Sequence, residues 1–408
     1  MIKDTHERYR RDAIDMNLTT HKNESRLACF VTLVLVSIFM TNVSHGLAHS
    51  LGFNSELVTV VLKCIVGISF LSILNIVLSR IDRKLFIFLV LTLLTVAGNV
   101  VFFPELNEYF IDNAILFFTL CLLPSVACYI LNDYSLLYKY LVAVSYFIAV
   151  VMFVVLICLI SGVLQSFNDD RYSMGLGYSC QIPTILLSGE ASKRNRMAAF
   201  GFIVLVLSIL MLGSRGPILG IGLFYFYFSI RKLVQSGEYV KAMTVALAFV
   251  GVLFVYKPVL KNFNSYLESK DIHSRSIHFL TQDEVHLSNR DILYDTVIDG
   301  IKNAPFKIRG INADYVILGG YTHNIILELV YQFGIVFGSV ALFFIFNKVW
   351  KTLAFKDLDN RKTLCLVFMF ASVPATFFTG TLFGNHVFWM WMAVYSKIIT
   401  RPYDYNSM

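Results

Sequence analysis

Charged residues are scarce in this sequence. Asp, Glu, Lys and Arg make up 15% of the 408 residues, whereas hydrophobic residues make up 57% and the mean hydropathy is +0.67. Because about a quarter of the residues of soluble globular domains are charged, this composition excludes a soluble protein. It indicates an integral membrane protein.

The sequence also lacks a glycine-rich nucleotide-binding motif, an internal repeat and any low-complexity segment. The N-terminal segment up to Arg26 is too charged to contain the apolar core of a signal peptide. We therefore expect the first apolar run to remain as a membrane span. All seven cysteines fall in apolar runs. We expect them to be small buried residues, and not disulfide partners or zinc ligands.

The hydrocarbon core of a bilayer is roughly 30 Å thick and requires about twenty apolar residues per helix, so the apolar runs predict about twelve spans. These runs cover residues 27–45, 57–79, 85–103, 112–131, 140–163, 174–190, 197–213, 217–231, 240–256, 324–346, 363–382 and 386–399. The predicted fold class is therefore an all-α integral membrane protein with about twelve transmembrane helices.

Lys and Arg are missing from one set of short connections between the predicted spans. The segments 45–56, 104–113 and 380–385 contain neither residue, and most of the 34 basic residues lie in the alternate connections or at the termini. Since basic loops stay in the cytoplasm, this pattern predicts that both termini are cytoplasmic. It also accounts for the net charge of +7 without a nucleic-acid partner.

One long polar segment, residues 257–322, separates the ninth and tenth predicted spans and is expected outside the membrane. The predicted domains are residues 1–256 with nine spans, the loop domain 257–322, and residues 323–408 with three spans. Within the loop, Ser288 and Asp291 have capping-box spacing. The apolar pattern that follows predicts an amphipathic helix ending before Pro305. Its apolar face consists of Ile292, Leu293, Val297, Ile298 and Ile301.

Three arginines on the predicted outer side are candidates for anion binding, because guanidinium groups match phosphate oxygens in geometry and charge. Arg215 lies in a sharp break between two spans, where it either snorkels to the interface or binds an anion. Arg290 falls in the first turn of the loop helix, where the helix dipole also favours an anion; the alternative is a solvated arginine beside Asp291. Arg171 either binds substrate or pairs with the acidic residues before it.

His323 is the best acid–base candidate, because histidine titrates near neutral pH and this one lies where the loop meets the tenth span. Asn324 and Glu328 share a face of the following helix, and carboxylates within membrane spans are paired or functional by default. The alternative is a capping histidine with Glu328 bonded to a neighbouring helix. Weaker candidates for the same cavity are Lys63, a charge expected to be buried, Asn385 and His386.

A metal site has little support in the sequence. On the predicted outer side, Asp169-Asp170 is the only acidic pair that is a reasonable candidate for binding a metal. The first outer connection contains no aspartate. We therefore expect neither a metal nor another cofactor.

Three motifs, in this order and around a long outer loop, give the chain a resemblance to the bacterial O-antigen polymerases and O-antigen ligases. It covers roughly residues 165–340, and the first five spans match only in hydropathy. The motifs are Gly213-Ser214-Arg215-Gly216-Pro217, then Asn289-Arg290 with a helix ending at Asn303-Ala304-Pro305-Phe306, then Tyr321-Thr322-His323-Asn324-Ile325-Ile326-Leu327-Glu328 with Phe333-Gly334-Ile335.

The resemblance implies a metal-independent glycosyltransferase of GT-C-like fold in the bacterial inner membrane, acting at the periplasmic face on an undecaprenyl-diphosphate-linked oligosaccharide. Arg215 and Arg290 would hold the diphosphate, His323 would contact it or assist transfer, and Arg171 would match an arginine that precedes the sixth span in some members. Together with Arg171, Asn324 and Glu328 are the candidates for substrate binding. Membrane lipid, a chain-length regulator and a flippase of the same pathway are the expected partners.

The resemblance leaves two acceptors open. A polymerase transfers the growing glycan to the next lipid-linked unit, whereas a ligase transfers it to the lipid A core. The motifs around Arg215 and His323 favour the polymerase. A flippase or another twelve-span transporter is a further alternative, but its two similar halves are not found in this sequence.

Overall fold

The computed structural model describes residues 2–52, 54–161, 170–212, 215–268 and 290–400; the side chains of some of these residues, including Arg171 and Arg215, lie outside the described part. Every regular element within these ranges is helical. We number the helices α1 Ile2–Leu51, α2 Ser55–Arg80, α3 Arg83–Phe102, α4 Asn107–Leu116, α5 Leu123–Ile130, α6 Tyr134–Ile160, α7 Asp170–Ser179, α8 Gln181–Ser192, α9 Arg196–Met211, α10 Arg215–Gln235, α11 Tyr239–Glu268, α12 Arg290–Asn303, α13 Ala313–Leu318, α14 Ile325–Leu353, α15 Asn360–Thr376 and α16 His386–Thr400. A 3₁₀ turn (Pro104–Leu106) precedes α4, and a π-helical segment (Phe117–Leu122) joins α4 to α5.

Asparagine and aspartate side chains begin many of these helices. In each case the side-chain oxygen accepts a hydrogen bond from a free backbone N–H of the first turn, which stabilises the helix start by about 1 kcal/mol. The capping residues are Asn54 for α2, Asp82 for α3, Asp133 for α6, Asn195 for α9, Asn324 for α14 and Asp359 for α15.

Helix α1 lies at the centre of the main core and packs against α2, α5, α6 and α7. Phe30 and Phe39 of α1 and Trp391 of α16 are fully buried there. A second, smaller core joins α4 to α12, α13 and α14 through Phe110, Val297 and Ile311. This smaller core holds the helices of the long loop against the membrane helices.

Within the described residues, seven helices are long and apolar enough to cross a membrane. They are Thr19–Ala48, Ser55–Arg80, Arg83–Phe102, Pro104–Ile130, Tyr134–Leu159, Gly216–Gln235 and Ile325–Leu353. Large apolar side chains on α2 and α3 face outwards, as for Ile68 at 68% exposure and Phe102 at 77%. An all-helical membrane protein accounts for these exposed side chains, because lipid covers them.

The other five predicted spans are not confirmed. The run 174–190 is divided at Cys180 between α7 and α8, because Pro183 has no N–H to continue the helical hydrogen bonds. Helices α9, α15 and α16 have 16, 17 and 15 residues, which is short for a full crossing. The count of twelve spans and the orientation of the termini stay predictions.

The long loop differs from the prediction at its start. Helix α11 continues to Glu268, beyond the predicted boundary at residue 257, because the end of an apolar run does not mark the end of its helix. The predicted loop helix is present as α12 and ends at Asn303 as expected. Ser288 and its predicted capping box lie outside the described residues. Of the predicted apolar face, Val297 is buried, whereas Ile292 is 64% exposed.

Two predictions about burial were wrong. Cys29 and Cys64, expected to be buried, are exposed. All seven cysteines are free thiols. Lys63, expected as a buried charge, is also exposed on α2. When a helix is apolar on all sides, the periodicity of its hydrophobic residues cannot distinguish positions that face the core from positions that face lipid.

Candidate functional site

Described residues of the three motifs come together around Tyr178 of α7. Its hydroxyl group occupies the space that a side chain at residue 216 would fill, directly beside the start of α10. The charge of Arg290 acts both on the Tyr178 hydroxyl and on the His323 ring. Gly216, Arg290 and His323 therefore converge on one place, although they lie far apart in the sequence.

Tyr178 was not among the residues that the sequence predicted. Its hydroxyl oxygen is buried and lies near the Thr379 side chain, but it makes no hydrogen bond of good geometry with any described residue. An unpaired buried hydroxyl destabilises a fold by about 1–3 kcal/mol. A bound ligand with an acceptor oxygen would satisfy it.

Arg290 is the first residue of α12 and is half-buried. In the described part of the chain, Arg290 forms no ion pair with Asp291 or with any other acidic side chain. The N–H groups of the first helical turn are themselves favourable for an anion. The choice between anion binding and a solvated arginine beside Asp291 stays open.

His323 has a left-handed backbone conformation, with φ of 57°, which is unfavourable for a residue with a side chain. Its ring lies against Tyr321, with 4.2 Å between centroids, and its buried Nδ1 has no hydrogen-bond partner among the described residues. Burial first, and then the charge of Arg290, lower the pKa of His323 to about 4. The imidazole is therefore neutral at neutral pH.

Asp314 fixes the segment that carries His323. Its fully buried carboxylate accepts hydrogen bonds from the Thr322 backbone N–H at 3.0 Å, the Thr322 hydroxyl at 2.7 Å and the Gln332 Nε2 at 2.9 Å. Such charge-assisted bonds are about twice as strong as neutral ones. The strained conformation of His323 is maintained because its neighbour is held in this way.

Asn324 and Glu328, predicted to bind substrate, have structural contacts. The Asn324 side chain accepts hydrogen bonds from the backbone N–H groups of Ile326 and Leu327, so asparagine and not histidine caps α14. The Glu328 carboxylate is 2% exposed and accepts the backbone N–H of Leu382 at 3.1 Å. The Glu328 contact connects α14 to the turn between α15 and α16, and a role of either residue in substrate binding stays a prediction.

Helix α14 is interrupted at Gly334, whose φ of 73° and ψ of 166° belong to a region open only to glycine. The preceding loop replaces the missing helical hydrogen bonds. The Arg309 backbone N–H donates to the Gln332 carbonyl at 2.8 Å, and the Ile335 N–H donates to the Pro305 carbonyl at 2.8 Å.

The Arg309 side chain reinforces this junction. Its guanidinium group donates to the carbonyl oxygens of Gly300 at 2.5 Å, Ala304 at 3.1 Å and Tyr331 at 3.1 Å. It also lies over the Tyr331 ring, 4.5 Å from the centroid. Sequence reasoning missed Arg309, because its partners are carbonyl groups that leave no pattern in the sequence.

The remaining predicted residues differ in what the structure describes. Arg215 begins α10 and Arg171 lies in the first turn of α7, but both side chains are outside the described part, as is Asp169. Asn385 caps α16 by accepting the Phe388 N–H at 3.1 Å. His386 and Tyr178 line the same small cavity of about 30 Å³ between α1, α6, α7 and α16.

No group of three or more His, Cys, Asp and Glu side chains is arranged for metal binding among the described residues. The expectation of a metal-independent reaction stays a prediction.

Comparison with known proteins gives no match: no protein-family model, no curated protein and no solved structure is similar to the chain. The resemblance to O-antigen polymerases and ligases therefore depends on the three motifs alone.

Proposed function

We propose that the chain is an O-antigen polymerase that transfers a growing glycan from undecaprenyl diphosphate to the next lipid-linked unit. The observation that supports this function is the position of Arg290, which acts electrostatically on both His323 and Tyr178 beside Gly216. A cation, a neutral imidazole and an unpaired hydroxyl group together suit a diphosphate and an attacking hydroxyl.

In the proposed reaction, a hydroxyl oxygen of the acceptor sugar attacks the anomeric carbon of the donor. The bond between that carbon and the phosphate oxygen breaks, and undecaprenyl diphosphate leaves with the bonding electrons. Negative charge therefore grows on the leaving oxygens, where Arg290 stabilises the transition state more than the ground state. Arg215, next to Gly216, is the proposed second cation, and the Tyr178 hydroxyl is a proposed further donor.

His323 is the proposed acceptor for the proton of the attacking hydroxyl. In the free protein its low pKa makes it a weak base. A bound diphosphate brings negative charge close to the ring, which favours the protonated form and raises the pKa. The base would therefore gain strength only when the leaving group is present.

The discriminating experiment is a deletion strain complemented with variants, whose lipopolysaccharide is separated by gel electrophoresis. Single units attached to the core, without longer chains, support the polymerase. Accumulation of free lipid-linked polymer indicates a ligase instead, and units trapped in the cytoplasm indicate a flippase.

Within this strain, Arg290→Ala should lower transfer by about 10²- to 10³-fold, as expected for loss of one preorganised charge-stabilising group. The matched control is Lys302→Ala on the same helix, because the Lys302 side chain is 70% exposed. Membrane fractions must contain both proteins in equal amounts. A near-normal ladder with Arg290→Ala would contradict the assignment of the diphosphate site.

A further inference from the structure

A row of aromatic rings crosses the surface of the molecule and ends at the candidate site. The ring centroids of Tyr109 and Tyr315 are 6.2 Å apart, those of Tyr315 and Tyr321 are 6.1 Å apart, and those of Tyr321 and His323 are 4.2 Å apart. These separations are typical of aromatic rings in contact. We call the residues Tyr109, Tyr315 and Tyr321 the tyrosine row.

The tyrosine row is held in place by buried contacts. Tyr315 follows Asp314 and Tyr321 precedes Thr322, so the hydrogen bonds between Asp314 and Thr322 fix the separation of the two rings. The start of α13 is fixed in turn by the Ile311 backbone N–H, which donates to the Asn99 side chain at 2.7 Å. Rings held in this way lose little conformational entropy when a ligand binds.

All three rings of the row are partly exposed, Tyr109 to 37%, and the row ends at His323, on which the charge of Arg290 acts. It therefore offers a partly exposed surface that ends where the diphosphate is proposed to bind. A saccharide joined to that diphosphate must leave the site along some surface of this kind.

Tyrosine suits a saccharide chemically. The flat apolar ring matches the C–H face of a sugar, and the hydroxyl group at its edge exchanges hydrogen bonds with sugar hydroxyls. We propose that the tyrosine row binds the saccharide part of the lipid-linked substrate, with the first sugar at Tyr321 and later sugars at Tyr315 and Tyr109. This inference rests on the proposed function.

A membrane anchor is the alternative role, because tyrosines are enriched where membrane proteins meet the lipid headgroups. The row ends in contact with His323, however, whereas an anchoring belt would follow the circumference of the molecule. The anchor is therefore an outcome that the experiment must separate from saccharide binding.

The test compares two probes on the purified full-length protein in lipid nanodiscs. One probe is undecaprenyl diphosphate without sugar, and the other is the glycosylated lipid extracted from the deletion strain. Tyr315→Ala should weaken binding of the glycosylated lipid by about three- to tenfold, the loss expected for one aromatic contact, and leave undecaprenyl diphosphate unaffected. Tyr315→Phe keeps the ring and should retain most of the affinity.

Tyr239→Ala is the matched control, because Tyr239 at the start of α11 is 66% exposed and lies outside the tyrosine row. Unchanged binding of the glycosylated lipid to Tyr315→Ala would overturn the proposal. Equal weakening of both probes would also overturn it, since that result indicates anchoring or folding. If Arg290→Ala binds both probes like the wild type while Tyr315→Ala loses only the glycosylated lipid, the diphosphate assignment fails and the tyrosine row stands.

Discussion

The hydroxyl group of Tyr178 lies where a Cβ atom of residue 216 would have to be. Glycine is therefore required at position 216 so that α7 can approach the start of α10. The structure shows that the space beside Gly216 is already occupied by a side chain of the protein.

Gly216→Ala should displace the Tyr178 ring and the start of α10. Because small misplacements of catalytic groups cost about a hundredfold in rate, we expect a loss of transfer activity of this size. The control is Gly222→Ala, also on α10, where a Cβ would meet no atom within 4 Å. Equal activities of the two variants would contradict the role assigned to the contact between Tyr178 and Gly216.

Tyr178→Phe separates a ligand-binding hydroxyl from a structural one. Since the hydroxyl makes no good hydrogen bond in the free protein, its removal should leave the thermal unfolding temperature unchanged or raise it slightly. Transfer should fall by about 10- to 100-fold, the loss expected for one hydrogen bond to a charged group.

The comparison variant is Tyr138→Phe, because the Tyr138 hydroxyl donates to Glu190 at 3.0 Å. It should destabilise the fold by about 1 kcal/mol and leave transfer intact. If Tyr178→Phe behaved in the same way, Tyr178 would be a structural residue.

The pKa of His323 should respond to Arg290. In Arg290→Gln the charge is removed but burial, the larger cause, remains, so we expect the pKa to rise from about 4 and stay below its ordinary value. Titration of ¹³C-labelled histidine by NMR, with His323→Asn to assign the signal, measures the change. Lys302→Gln should leave the pKa of His323 where it is, and an equal shift in both variants would contradict the direct effect of Arg290.

The low pKa of His323 also makes the free energy of unfolding depend on pH. The folded pKa of about 4 is lower than the unfolded value of roughly 6.5, so protonation favours the unfolded chain. The free energy of unfolding therefore decreases, through protonation of His323, as the pH falls from about 6.5 to about 4. Outside this window the contribution of His323 does not change with pH.

Asp314→Asn should loosen the segment that carries His323. The asparagine keeps one oxygen for the two Thr322 donors but presents an N–H group to the Gln332 Nε2, so the free energy of unfolding should fall by about 1–3 kcal/mol. Asp299→Asn is the control, because the Asp299 side chain is 67% exposed. Chemical denaturation in detergent measures both variants, and unchanged stability of Asp314→Asn would show that the carboxylate is dispensable.

Gly334→Ala tests the interruption of α14. A Cβ at this position would lie 3.0 Å from the Phe306 carbonyl oxygen, and the backbone conformation is strained for any other residue. We expect destabilisation of about 1–3 kcal/mol. By contrast, Gly67→Ala on α2 meets no atom within 4 Å and should stabilise the helix by about 0.5–1 kcal/mol.

Sequence patterns predicted the elements whose signals are local. Helix α12 ends at Asn303, before Pro305, because proline has no N–H for the helix and restricts the residue before it. The expectation that Arg290 and His323 lie close together came from the three motifs and not from the spacing of the residues. Tyr178 could not be predicted, because it is one of 21 tyrosines and its partner Gly216 lies on another helix. Glycine 334 was part of a motif, but only the structure connects it to Arg309 and the Pro305 carbonyl.

The junction around Gly334 determines which parts of the site can move independently. Arg309 binds carbonyl groups at the end of α12 and in α14, so these two segments form one rigid unit. Arg290 begins α12 and His323 directly precedes α14, so both residues lie at the same end of that unit. If the proposed glycolipid binds here, we expect it to displace α7 and α10, which lie outside this unit, without separating the guanidinium group from the imidazole.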